Sequence, residues 1–195
     1  SFPTRRSSDL IGQELALRYP DKVKALVLAN TTSRYDEAAR QALQQRIDTI
    51  AAQGLGAVAT ATMARFFTDS FRSHQAAAVS RHQRLLEATD PDGYIACAQA
   101  IKDVDTHDRL SDIKVPTLIV AGDQDVSTTV DMAIGMGHRI AGSQMVTLAD
   151  CAHLSAVERP DAFAGIVAEL PSAIAGTLEL GRQGALSTAL ILLVI

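Results

Sequence analysis

At 195 residues, 47% apolar and 21% charged, the chain has the composition of one ordinary globular domain with its own core. A formal charge of −4, with Lys and Arg scattered rather than striped along one face, leaves no basic footprint and excludes nucleic acid as an expected partner. The two cysteines, Cys97 and Cys151, lie in unrelated segments without C-x-x-C spacing, which argues against a disulfide framework or a zinc site and fits reduced thiols in a cytoplasmic protein.

Residues 1–10, SFPTRRSSDL, have no hydrophobic period and run abruptly into what reads as the middle of a helix. They are expected to be a non-native leader, similar to translated sequencing adapter; a natural N-terminal segment is the alternative. Ile11 to Tyr19 reads as a helix with Ile11, Leu15 and either Ala16 or Tyr19 on its inner face, stopped by Pro20 and Asp21. Val23 to Asn30, VKALVLAN, is an apolar, partly β-branched run, the pattern of a strand buried on both faces of a parallel sheet.

From Ser33 to Ile113 the pattern is helical throughout, with Leu43, Ile47, Ile50 and Ala51 at helical spacing, then Val79, His82 and Leu86, then Tyr94, Cys97, Ala98 and Ile101. Gly54-Leu55-Gly56, Thr68 to Ser73 and Thr89 to Gly93 divide it into about four helices. Val115 to Gly122 is a second buried strand with Pro116 at its start. Val130 to Ile140 reads as a helix, Gln144 to Leu148 as a third strand, and Arg159 to Leu170 as a helix with Phe163, Ile166, Val167 and Leu170 inward.

This order predicts an α/β fold: an open parallel sheet built from residues 11–33 and 114–170, carrying a helical cap at 34–113. Residues 171–195 form a tail of uncertain origin that reads as an extension helix or a frame-shifted end, with a membrane-seeking segment the disfavoured reading. Its apolar run, Ala185 to Ile195, is shorter than the roughly 18 residues of a membrane span. No membrane partner is expected, and the start lacks a signal-peptide pattern.

Ligands of open parallel sheets bind where the strands end, so the strand-end loops are the places to look for chemistry. Asn30-Thr31-Thr32-Ser33 lines the floor under the insert. Gly122-Asp123-Gln124-Asp125 brings two carboxylates off a buried strand, and Asp150-Cys151-Ala152-His153 brings a histidine off the next one. An ionised Asp that accepts from one ring nitrogen fixes the tautomer and stabilises the imidazolium formed when the other nitrogen takes a proton. A solvated acidic loop and a solvated histidine are the plain alternatives. His74, His82, His107 and His138 read as surface or half-buried histidines, and the four methionines as core filler.

On these residues the chain resembles the α/β-hydrolases, which run Ser, acid, His in chain order with the Ser on a G-x-S-x-G elbow. Within that family it is similar to the 3-oxoadipate enol-lactonases, on IGQELALRYPDKVKALVLANT (11–31), LLEATDPDGYIACAQAIKDVD (85–105), VPTLIVAGDQD (115–125) and DCAHLSAVERPDAF (150–163). The resemblance implies an α/β-hydrolase fold and Ser-His-Asp hydrolysis of a small lactone or ester without cofactor or metal, with Asp125 as the acid, His153 as the general base and Asp123 as a neighbour. It places the nucleophile about five positions before Ile11, where this chain has Arg6.

No G-x-S-x-G occurs in the 195 residues, and Ser7 and Ser8 lack the flanking glycines an elbow requires. The sequence is therefore expected to be an N-terminally incomplete, inactive hydrolase. Another ester or C–C bond hydrolase of the same fold and a non-catalytic binding module remain open, as does the oligomeric state. After Asp125 the chain reads Val-Ser-Thr-Thr-Val where relatives carry a proline-containing turn, which leaves the register of that loop open.

Overall fold

The computed structural model describes residues 8–169 and 189–193, the segments 8–10 and 189–193 by their backbone alone. Helix α1 (Ser8–Arg18) leads through a single 3-10 turn, Pro20–Lys22, into β1 (Val23–Ala29). Strands β2 (Thr117–Gly122), β3 (Gln144–Leu148) and β4 (Ala189–Leu193) complete a parallel sheet of order β3-β2-β1-β4 among the described residues.

Alternate residues of the central strands feed two cores. Leu26 and Leu28 of β1 and Ile119 and Ala121 of β2 pack beneath α1 and α7 (Val130–Arg139), together with Leu110 and Ile113. Ala25, Val27 and Ala29, with Leu118 and Val120, face Phe163 of α9 (Pro160–Glu169) on the other side. A strand covered on both faces has no use for a polar alternation, which is why these segments read as continuous apolar runs. Each fully covered Leu or Ile side chain contributes roughly 1.5–3 kcal/mol of transfer free energy.

Helix α1 turns Leu15 and Ala16 toward the sheet core, as their spacing predicts, but leaves Ile11 outside it. Ile11 and Tyr19 are exposed, at 52% and 57%, while Ala16 and the side chain of Gln13 are buried. Gln13 donates from Nε2 to the carbonyl of Thr32 (3.1 Å) and accepts from the hydroxyl of Thr106. Those two hydrogen bonds put a polar residue on the inner face, which apolar spacing does not mark. The described part of α9 places Phe163 in the core and half-buries Ile166 and Val167 against it; Leu170 lies outside the described residues.

Between β1 and β2 run α2 (Glu37–Gln53), α3 (Gly56–Phe66), α4 (Asp69–His74), α5 (Ala76–Glu87) and α6 (Pro91–Lys102). Asp36, Thr68 and Asp90 cap their helices by accepting from the backbone N–H groups of Ala39, Phe71 and Gly93 at 2.8, 3.1 and 2.7 Å. The Thr68 to Ser73 stretch, read as a break, holds the short helix α4, because Thr68 is its N-cap rather than a turn residue. Gly54 does end α2, with φ of +77°.

The two ends of the insert meet where Thr106 N–H donates to the Ser33 carbonyl (2.9 Å) and Arg34 bridges Asp105. Of the tail, Ala189–Leu193 is a strand along β1, not an extension helix, and it covers an edge that an incomplete sheet would leave unpaired. Residues 1–7, 170–188, 194 and 195 lie outside the described residues. No helix among the described residues is long and apolar enough to cross a membrane.

Candidate active site

Three strand ends converge on one edge of the sheet. Asn30 follows β1 directly and Asp150 lies just beyond β3, both with left-handed backbone (φ +51° and +52°), a conformation that Asn and Asp tolerate better than most residues. β2 ends at Gly122, where an added Cβ would lie 2.4 Å from the carbonyl oxygens of both Cys151 and Ala152. Only glycine lets the histidine loop approach this closely. The two loops are then laced together: Asp123 N–H donates to Leu148 (3.0 Å), Gln124 N–H to Cys151 (2.9 Å), and Cys151 N–H to the Asp123 carboxylate (3.0 Å). Asp123 is thus a brace of the loop pair.

This lacing brings Asp125 and His153 together. His153 Nδ1 lies 2.7 Å from Asp125 Oδ2, and both residues are buried. An ionised carboxylate only accepts, so Nδ1 carries the proton and Nε2 keeps its lone pair. Asp125 Oδ1 also receives the backbone N–H groups of Ser127 (2.8 Å) and Thr128 (3.0 Å). Its Oδ2 takes the Thr128 hydroxyl (2.7 Å) and Asn30 Nδ2 (3.2 Å). These bonds show how Val126 to Thr129 make the turn without a proline. Burial alone would raise the Asp125 pKa, but the His153 charge and hydrogen bond, with those of Thr128, outweigh it and hold the carboxyl below its usual range.

Two further residues fix this edge and were not marked out by sequence reasoning. Asn30 was read only as floor, yet its side chain donates to Ala152 O (3.0 Å) as well as to Asp125, and it accepts from Ser155 Oγ at 2.5 Å. Glu158, in the short helix α8 (Ser155–Glu158), buries its carboxylate under three donors: Thr68 N–H (2.7 Å), the Thr68 hydroxyl (2.9 Å) and Ala152 N–H (2.5 Å). It ties the insert to the residue before His153. Phe66 of α3 completes the link, its ring stacked on the imidazole at 5.1 Å between centroids and 27° between planes.

His153 opens onto a cavity of about 230 Å³ between the sheet edge and the insert, whose lining also includes Asn30, Leu43, Tyr94, Cys97 and Ser127. Cys151 is no substitute nucleophile, since burial, reinforced by the Glu158 carboxylate, pushes its thiol up to about 12. The other histidines stand away from this cavity's lining. His74 and His82 donate from Nδ1 to carbonyls one turn back, at 2.8 Å each. His107 meets Ser33 Oγ at 3.0 Å, and His138 is exposed. The position expected for the nucleophile, Arg6, and Ser7 beside it lie outside the described residues; Ser8 is described by backbone alone, as the first residue of α1.

A parallel sheet with an acid and a histidine leaving successive strand ends, under a helical insert, is the architecture of one large class of enzymes. The model of the alpha/beta hydrolase fold family matches residues 10–160, and the chain belongs to that family. Over 154 residues it is 33% identical to 3-oxoadipate enol-lactonase 2 of Acinetobacter baylyi, a match that covers 79% of this chain and 57% of that enzyme. It is 30% identical over 118 residues to 3-oxoadipate enol-lactonase 1 of the same organism, covering 60% of this chain and 44% of the relative. Among solved structures, the enol-lactonase from Burkholderia xenovorans LB400 superposes with a TM-score of 0.80 at 29% identity, covering 84% of this chain and 62% of that one. The chain thus spans about half the length of these two curated relatives.

Proposed function

We propose that this chain is the acid–base and substrate-binding part of a serine hydrolase that opens a small lactone, similar to 3-oxoadipate enol-lactonase. Its nucleophile would come from an elbow that these 195 residues do not contain. The observation that carries the reading is the buried 2.7 Å hydrogen bond between Asp125 and His153 at the edge of a cavity. Asp125 stays ionised and holds the ring; His153 Nε2 takes the proton of the serine hydroxyl as its oxygen attacks the lactone carbonyl. As the tetrahedral adduct collapses, the ring C–O bond breaks and His153 returns the proton to the departing enol oxygen. Water, deprotonated by His153, then attacks the acyl group, and the serine leaves with its proton restored. No cofactor or metal enters this sequence.

The sequence supports a corollary: without G-x-S-x-G the chain by itself turns nothing over. The test is 3-oxoadipate enol-lactone turnover by the chain alone and by the chain extended through the elbow segment of the Acinetobacter baylyi enol-lactonase 2. Turnover is expected only from the extended protein, with a loss on the order of 10⁴-fold on His153→Ala. Turnover that survives His153→Ala refutes the roles given to Asp125 and His153. Rapid hydrolysis of simple aryl esters with none of the lactone would instead make the protein another carboxylic-ester hydrolase of this fold.

A further inference from the structure

Strand β4 runs parallel to β1 on the side away from β2, and α1 lies against both β1 and β4. An elbow is a strand that turns sharply into a helix, and on the hydrolase reading that helix is α1. The elbow strand, α1 and β1 then make a strand–helix–strand crossover, whose two strands run parallel and as a rule lie side by side. One side of β1 is already taken by β2, since the N–H groups of Leu26 and Asn30 donate to the carbonyls of Pro116 (2.9 Å) and Val120 (2.8 Å). The elbow strand is left with the edge that β4 holds.

Two features mark β4 as a substitute on that edge. The register of β1 with β2 is unbroken from Leu26 opposite Thr117 to Ala29 opposite Val120. With β4 it slips between Val23 opposite Ala189 and Leu26 opposite Ile191, so β1 carries an extra residue there. A bulge of this kind interrupts the ladder and leaves a residue unpaired. The second feature is where β4 stops. Its last residue, Leu193, pairs with Leu28, so β4 runs out at the edge where β1 and β2 also end and where Asp125 and His153 sit, the place to which an elbow delivers its serine. We propose that the tail strand is a cap on the β1 edge that stands in for the elbow strand, and that the two exclude each other. The N–H and C=O groups on that side of β1 are a single set and pair with one strand at a time. The elbow strand prevails, because it joins α1 through a tight turn whereas the tail is tethered to α9 through residues 170–188, and a longer tether costs more entropy to close. The inference rests on the hydrolase reading, which supplies the elbow.

The test is residue-resolved amide exchange, which requires no turnover. Leu26 and Asn30 turn toward β2, so by alternation Val27 faces β4, and a slanted parallel ladder joins it to Ile191 and Leu193 on either side of its partner Leu192. In the 195-residue chain the amides of Val27, Ile191 and Leu193 are expected to be protected. Ile191→Pro, which removes a donor from the ladder, should speed exchange at Val27 roughly 100-fold while Leu26, bonded to Pro116, keeps most of its protection. In the elbow-extended protein Val27 should stay protected while Ile191 and Leu193 exchange freely. Ile191→Pro should there leave the urea midpoint unchanged, although it lowers that of the 195-residue chain. An extended protein that folds only once residues 171–195 are deleted shows the same exclusion at full strength. Free exchange at Ile191 and Leu193 in the 195-residue chain, or their protection in the extended one, overturns the edge cap. Neither result touches the roles of Asp125 and His153, which stand or fall on turnover and its loss in His153→Ala.

Discussion

Leu28 in β1 and Leu86 in α5 occupy equally apolar-patterned positions, but Leu28 is wholly buried in the sheet core whereas Leu86 is only half-buried against the two small clusters of the insert. Helix α5 buries no residue completely, while every residue of β2 is buried. The sheet is held by continuous apolar layers. The insert has two modest cores and is fastened to the sheet edge by individual links: Glu158 to Thr68, Leu154 N–H to the Phe66 carbonyl (3.1 Å), and the Phe66–His153 stack. The difference assigns the two halves different work. The sheet edge holds Asp125 and His153 together, and the more thinly packed insert covers the cavity beside them.

The sharpest way to break this comparison is at the closest approach on the sheet edge. Gly122→Ala drives a methyl group into the carbonyls of Cys151 and Ala152, backbone atoms of a loop that cannot yield without moving His153. A loss of roughly 4 kcal/mol or more in urea unfolding is expected, along with loss of the downfield proton NMR signal of the Asp125–His153 hydrogen bond. Retention of that signal at wild-type stability would show the loop to be adaptable. Next in size, Leu28→Ala should cost about 3–5 kcal/mol by opening a cavity in a layer covered on both sides, and Leu86→Ala about 1–2 kcal/mol because its site is already half-solvated. Equal losses would make the insert as firmly packed as the sheet.

The same contrast explains what sequence reasoning could reach. The parallel sheet was legible because β1 and β2 are apolar on both faces; the strand-end loops holding Asp123, Asp125 and His153 were legible from their place at the sheet edge, and the choice of Asp125 over Asp123 came from the family resemblance. Gln13, Asn30 and Glu158 were illegible for one shared reason: their partners lie far along the chain, 93 positions on for Gln13 and Thr106, 125 for Asn30 and Ser155, and 90 back for Glu158 and Thr68. A polar residue in a helix or at a strand end carries no local mark that distinguishes a buried staple from a solvated surface. In α1 this hid Gln13, which shares the inner face with Ala16 while Ile11 stays exposed.

Asp125 offers a pH-resolved test of the sheet edge. Its pKa is lower in the folded chain than the value of about 3.9 in an unfolded one. Its carboxylate therefore contributes stability that is fully present above the unfolded value and is lost as pH falls through the folded one. Asp125→Asn should destabilise the chain clearly at neutral pH and progressively less as the acid range is entered, as read from urea midpoints across that range. A penalty that does not change with pH would mean that the ionised state of Asp125 adds nothing to the fold.

The smallest effect is expected at Arg34, which joins the same two ends of the insert that Gln13 joins from beneath. Arg34 reaches Asp105 (2.8 Å) and Asp108 (2.6 Å) across the insert's base, but all three side chains are substantially exposed, Asp108 at 69%. In water such a pair exchanges hydration for Coulomb attraction at little net gain, and salt screens what remains. Gln13 makes its links at 0% exposure. Replacing it with Leu strands the Thr32 carbonyl and weakens the satisfaction of the Thr106 hydroxyl, a loss of roughly 1–3 kcal/mol. Arg34→Gln should leave the urea midpoint where it was, at low salt as at high, while Gln13→Leu lowers it in both. The reverse result would place the fastening of the insert in its surface ion pairs, and the division between a rigid edge and a buried-polar-linked insert would have to be redrawn.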